Sequence, residues 1–568
     1  MERGDGLVAP AGLAGARWLH RLGWIGAAIL PLGFLAVFFV WPVCVLILTG
    51  LSGGGSPGSG SAAQVWADPR TWRVITQTVV QASLGTLLSL LLGLPAAFVL
   101  YRLRFRGQGV LRGLATVPFV LPTVVVGVAF TALLGPSSPF EWLGLDQSLT
   151  AIVLALAFFN VTVVLRTVGG FWAQLDARPE QAARTLGAGP IRVWLTVTLP
   201  ALRTAITSAA ALVFLFCATS FGVVLILGGR EFSNIETEIY RLTVQFLDLR
   251  SAAALSLVQF GIVAAVLMVS ARLRSRREQA AALQFTRAAA VRPGRAHLPA
   301  LLVYAVTALG LHLLPMAVLV WRSLRLPDGT LTLQHYAHLI APPPGSRLAG
   351  TVFDAIALSL RMAAIATVIA MVLGVLTALV ASRRPRNAAL RRAIAVFDGA
   401  VMLPLGLSAV TLGFGLLLTM RHPLGIGVDL RTSVVLIPIA QALVALPLVV
   451  RTLLPVLRGI DPRLRDAAAT LGAPPWRVLV TIDLAMLTRA AGLALGFAFA
   501  TSLGEFGATA FLVRPGEQTL PVVIAQLIGQ QGADNYGMAL AAAVVLGGLT
   551  AAVMLLAEQL RGEVAGEW

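Results

Sequence analysis

Stretches of about 20 mostly apolar residues, the length of helix that crosses a hydrocarbon core, alternate along this chain with short polar segments. They fall near 24–50, 77–101, 114–135, 149–170, 203–228 and 252–271. After a polar, arginine-rich stretch they resume near 299–321, 355–382, 396–420, 432–456, 488–513 and 537–558. The pattern predicts an all-α membrane protein of about 12 transmembrane helices. The first run is too long for the apolar core of a usual secretory signal.

Composition sharpens that reading. Of 568 residues, 57% are apolar and 12% charged, against roughly 25% charged in an average soluble domain. So few charges cannot cover so much apolar surface in water, whereas lipid can cover it. All 43 basic residues are arginine. A chain without lysine has neither the phosphate-binding loop of a nucleotide hydrolase nor a Schiff-base amine. Cys44 and Cys217 both lie in apolar runs, which supports neither a disulfide framework nor a zinc site. The six histidines are scattered, and no nucleophile–base or paired-carboxylate constellation is identifiable. No catalytic residue, metal ligand or resident cofactor is therefore expected.

The formal charge of +18 is unevenly spread. Loops after odd-numbered spans hold 11 arginines and 12 acids, and more than twice as many arginines lie on the other side. The positive-inside rule then puts both termini in the cytoplasm. Topology accounts for the charge, so no nucleic-acid partner is expected.

The chain also repeats itself. Residues 176–199, DARPEQAARTLGAGPIRVWLTVTL, match 461–484, DPRLRDAAATLGAPPWRVLVTIDL, at 13 of 24 positions without a gap, at an offset of 285. The same offset pairs Arg166 with Arg451 and Phe221-Gly222 with Phe506-Gly507; one further residue pairs Pro118 with Pro404 and Gly127 with Gly413. Six spans per copy give both the same orientation, the parallel kind of repeat that builds a pathway between similar halves. This predicts a first half over 1–271, a cytoplasmic linker over 272–298 and a second half over 299–568. Each repeated loop, near 176–200 and 461–485, reads as a short cytoplasmic helix stopped by glycine, with a proline soon after. Its small alanines let another surface approach closely.

The loops resemble the E-A-A-x-x-x-G signature of importer-type ABC transporter permeases. The first copy is Gln181-Ala182-Ala183 with Gly187, and the second Asp466-Ala467-Ala468 with Gly472. Glutamine and aspartate thus stand at the glutamate position, and where the signature goes on to I-x-L-P the first copy reads Val197-Thr198-Leu199-Pro200 and the second Ile482-Asp483-Leu484-Ala485, without the proline. The resemblance implies that these residues form coupling helices for two copies of a separate ABC ATPase, which carries the ATP and Mg. It also implies an extracytoplasmic substrate-binding protein as partner and a place in the bacterial cytoplasmic membrane. Fused permeases of this size are similar to thiamine and ferric-iron importers. TSFGVVLILGG at 219–229, IETEIYRL at 235–242 and SAAALSLVQ at 251–259 look most like the thiamine branch.

Charges within the membrane are costly and point to function by default. Candidates are Arg166, Arg361, Asp398, Arg451 and Glu505. The arginines and Asp398 lie near enough to span ends to snorkel. Glu505 lies deeper, between Gly504 and Gly507, and its repeat counterpart is Ser220. Ser220, Phe221, Glu505 and Phe506 are the expected pathway or gate residues. Trp66, Trp72, His335, Tyr336 and His338 in outer loops are expected to form a landing surface for the binding protein. An ion-driven secondary transporter is the alternative class; it needs membrane-embedded acid or histidine relays, and only Glu505 is a candidate member.

Overall fold

The computed structural model describes residues 24–51, 62–278, 292–343, 348–383, 385, 387–425 and 427–559. Residues 279–291 of the 272–298 linker lie outside the described residues, as do both chain termini. Among the described residues there is no strand, only two isolated bridges, Arg325–Leu331 and Arg514–Glu517. Among the described residues, nine helices are long and apolar enough to cross a membrane, and three bent helix pairs bring the number to 12. On the second span, Leu84, Leu87 and Leu91 are 40%, 55% and 60% exposed along one face. A stripe of that kind is a liability in water and is covered by lipid here.

The bent pairs correct the continuous spans expected at 114–135 and 396–420. Gln108–Val120 meets Thr123–Leu134 at 97°, and Ala388–Gly406 meets Ala409–Gly425 at 99°. Pro122 supplies no amide hydrogen and biases Leu121 to extended backbone; the observed ψ is 139° at Pro122. The second bend has no proline at its corner. There Ser408 is extended, with ψ 141°, and its side chain accepts the Thr411 amide as an N-cap.

The fifth and eleventh spans are also displaced from their expected limits. They run Pro190–Ala218 and Pro475–Leu503, the latter bent by 59°, so each starts earlier and stops earlier. Ser220 and Glu505 therefore sit in helix breaks rather than inside continuous spans. Each of these spans carries a wide π turn just after its first α turn, Trp194–Thr198 and Leu479–Leu484.

The first six and last six spans interlace. The first span lies against the sixth and the bent ninth, with Gly50 so close to Ala253 that a Cβ would stand 3.0 Å from its carbonyl oxygen. The seventh, Arg295–Ser323, packs reciprocally on the second and third. One apolar core consequently joins spans two to six with seven and twelve, and another joins the first span to spans eight to eleven.

Candidate functional site

Two places carry chemistry: a cavity at the meeting of the helix breaks, and the pair of short-helix loops. The cavity encloses about 480 Å³ between the bends of spans three and nine and the breaks after spans five and eleven. Ser220, Phe221, Glu505 and Phe506 all line it. Phe221 and Phe506 stack across it, ring centroids 5.0 Å apart and planes inclined by 25°. Tyr240 packs on Phe221 at 5.2 Å and edge-on to Phe511 at 5.4 Å, so one end of the cavity is sealed by aromatic rings. Toward the loop end of span ten the lining continues through Leu448, Arg451 and Thr452.

The glycines beside these rings have a steric reason. A Cβ on Gly222 would stand 2.4 Å from Thr123 Oγ1, and one on Gly507 2.9 Å from Ala409 Cβ. Thr123 and Ala409 are the first residues after the two bends, so the same close approach is made twice. Gly504 similarly lies under the Pro122 ring, at 2.9 Å for an added Cβ.

Glu505 is 6% exposed. Its Oε1 accepts the Ala508 amide at 2.7 Å and its Oε2 the Thr509 amide at 3.0 Å. Both oxygens thus cap the next short helix, Thr509–Leu512, which repays part of the cost of burying a carboxylate. Ser220 makes no such cap; its carbonyl accepts from the Asn234 side chain at 2.7 Å. Of the other intramembrane charges, Asp398 pairs with Arg458 at 3.0 Å, and Arg451 faces the cavity. Arg166 and Arg361 are exposed.

The loops are built alike. Helices Arg178–Thr185 and Pro462–Thr470 both end on a left-handed glycine, Gly187 at φ +81° and Gly472 at φ +80°. The amides of Ala188 and Ala473 reach back to Ala183 and Ala468 carbonyls, each at 3.0 Å. Gln181, Ala182, Asp466 and Ala467 are exposed, and Ala183 and Ala468 half-buried. The turn lifts Leu186 and Leu471 out, each 88% exposed, with Ile191 and Trp476 beside them at 75% and 62%. Sequence reading missed these apolar knobs, although the offset pairs them.

It also missed a clamp behind each knob. In the first loop Glu180 binds Arg102, at the end of span two, at 2.9 Å and accepts from Thr198 at 2.9 Å. In the second, Asp483 is 1% exposed and binds both Arg465, at 2.7 Å, and Arg383, just past span eight, at 2.6 Å. Glu180 and Arg465 are repeat partners, as are Thr198 and Asp483. The same two positions are joined in both loops, with the acid at the first position in one copy and at the second in the other.

The outer loops depart from expectation. His335 is 3% exposed and lies against Gly537, and the Tyr336 hydroxyl shares a 2.7 Å hydrogen bond with Ser323. They tie the loop to the spans. Trp66 and Trp72 are half-exposed and pack together at 5.7 Å, and His338 lies 3.4 Å from the Gln334 side chain.

Residues 89–277 match the family described as "Binding-protein-dependent transport system inner membrane component". The chain is 33% identical over 181 residues to the molybdenum transport system permease protein ModB of Azotobacter vinelandii, covering 31% of this chain and 78% of that protein. The chain belongs to this permease family. Over greater lengths the permease is 28% identical to the thiamine transport system permease protein ThiP of Brucella abortus, across 93% of this chain and 94% of that one. It is 29% identical to ThiP of Escherichia coli, across 87% and 88%. With 9 to 12 spanning helices, it is a multi-pass inner-membrane permease of the fused, two-half ABC importer type.

Proposed function

We propose that this permease forms the membrane pathway for thiamine or a thiamine phosphate, handed over by an extracytoplasmic binding protein and driven by two copies of an ABC ATPase. The observation that carries the coupling part is the pair of equivalent loops, each presenting an exposed leucine on a turn held by a left-handed glycine. Two such knobs fit two grooves of a paired ATPase. Residues 1–271 and 299–568 act as the two halves, the 272–298 linker joins them on the cytoplasmic side, and both termini lie there. The chain performs no covalent step: ATP and Mg belong to the partner, and movement of the loops rocks the halves about the Phe221–Phe506 stack.

For the substrate, two facts support the reading. Relatives that run nearly the length of this chain include thiamine permeases by name. The cavity is of small-molecule size and lined by Phe119, Phe159, Phe216 and Phe497 besides the stacked pair, and aromatic faces hold organic cations. In this reading Glu505 fixes the break that carries Phe506, and Ser220 and Phe221 form the opposing lip.

The test is reconstitution of the permease with its ATPase and binding protein in proteoliposomes. ATP-dependent uptake of radiolabelled thiamine, abolished by omitting the binding protein, is expected. Uptake driven by an ion gradient without ATP would overturn the reading and favour a secondary transporter. ATP-dependent transport of ferric iron but not thiamine would overturn the substrate alone.

A further inference from the structure

One buried carboxyl has no part in the reading above. Glu236 lies in the first turn of the helix Ile235–Val244, is 0% exposed, and has no ion-pair partner among the described residues. Its partners are neutral. Gln259 Nε2 donates to Oε1 at 3.1 Å, and the hydroxyl of Ser408 donates to Oε2. Burying a carboxyl without a counter-ion is expensive, and an apolar residue in its place would cost less. The 285-residue offset pairs Glu236 with Pro521, so the repeat can be built without an acid here.

Its position supplies a reason. Ser408 is the corner residue of the ninth span's bend and lines the central cavity, so the Glu236–Ser408 bond crosses from the first six spans to the last six. Tyr240 lies one helical turn beyond Glu236 on the same face and packs on both Phe221 and Phe511. Whatever passes the Phe221–Phe506 stack must part this seam. Parting removes Ser408 from Oε2 and Phe511 from the Tyr240 ring together. A carboxylate oxygen and an aromatic face then stand side by side on the sealed end of the cavity. That pair recognises an aromatic organic cation by charge and by ring quadrupole.

We infer that Glu236, with Tyr240, is a cation-recognition site of the outward-open pathway, covered in the closed state by Ser408 across the seam. The inference rests on the thiamine reading, since thiamine carries a fixed positive charge. It assigns selection for charge to the permease as well as to the binding protein.

The experiment compares thiamine uptake by the reconstituted complex carrying the parent permease, Glu236→Gln or Glu236→Asp. Gln retains the shape and hydrogen-bonding capacity that Ser408 and Gln259 require; Asp retains the charge on a shorter stem. The expected result is a fall of about tenfold or more in kcat/KM for Glu236→Gln, the loss of a charge-assisted contact, at an unchanged melting temperature, with Glu236→Asp recovering most of it. Equal uptake by parent and Glu236→Gln overturns the inference and leaves the thiamine reading standing. An equal fall in both variants also overturns it, because packing rather than charge would then be responsible. A parent complex that carries no thiamine overturns both.

Discussion

The two clamps place their acid at different repeat positions, Glu180 in the first and Asp483 in the second, which allows a direct exchange experiment. In the first loop the Arg102 side chain is 7% exposed and its partner Glu180 19% exposed. Removing one member of a buried pair costs about 3–5 kcal/mol. Because Glu180 keeps some solvent, the lower end, about 3 kcal/mol, is the appropriate figure for its loss. Glu180→Arg does more than remove the partner, since it sets a second guanidinium against Arg102. Adding Thr198→Asp copies the arrangement in which Asp483 holds Arg465 and Arg383 at 2.7 and 2.6 Å. The single variant should therefore release the first loop from the end of span two and lower the substrate carried per ATP hydrolysed. The double variant should restore most of that ratio. The assay is uptake and ATP hydrolysis measured on the same proteoliposomes, with ATPase co-purification as a check on assembly. A double variant no better than the single one would refute the view that these residues transmit loop movement through one interchangeable ion pair.

Other outcomes follow from the same geometry. Leu186→Ala with Leu471→Ala should leave permease stability unchanged, because both are exposed, yet weaken ATPase binding by about 100-fold, from roughly 1.5 kcal/mol or more per leucine buried at the interface; undiminished co-purification would refute the docking role. Gly187→Val with Gly472→Val meets no neighbouring atom but strains a left-handed backbone at φ +81° and +80°, and should lower both assembly and transport in pull-down and uptake assays. Gly222→Ala places a Cβ 2.4 Å from Thr123 Oγ1 and should lower the melting temperature and transport, whereas Gly170→Ala, with open space around it, should do neither. Glu505→Ala should cost about 1–2 kcal/mol through loss of the cap, and Glu505→Gln less; equal melting temperatures for parent and both variants would show that the cap contributes nothing.

The spans were legible because crossing a bilayer demands a length of apolar chain that composition cannot hide. Their bends were not, since apolarity reports depth and not axis direction. Leu121-Pro122 carries a local signal for its corner, but Leu407-Ser408 reads like any stretch of a span, and only the N-cap geometry of Ser408 marks the break. The loop helices and their glycine stops could be read because the chain writes them twice. Contacts between distant segments were harder: Arg102 and Glu180 lie 78 residues apart, and nothing local to either names the other. Yet a signal was present. Within the matched 24 residues, Glu faces Arg at one mismatch and Thr faces Asp at another, which is how a compensated pair looks when two copies diverge.

That divergence has a physical order. At two such places backbone geometry decides the residue and both copies agree: Gly187 and Gly472 at left-handed turns, Gly222 and Gly507 where the helix after a bend comes too close for a Cβ. No other side chain satisfies those constraints without strain. Positions where charge decides are free to change, because a salt bridge requires complementarity and not a particular polarity at either end. Hence the acid of the clamp is Glu180 in one loop and Asp483 in the other, a serine and a glutamate stand at the two helix breaks, and Glu236 lies opposite a proline in the repeat. In the pathway proposed above, two such copies keep the symmetry of their backbone while their buried carboxyls stand unevenly, Glu236 behind Ser408 at one bend and Glu505 at the break that carries Phe506. A cation passing there would meet acids on one copy's positions that the other copy fills with Ser220 and Pro521.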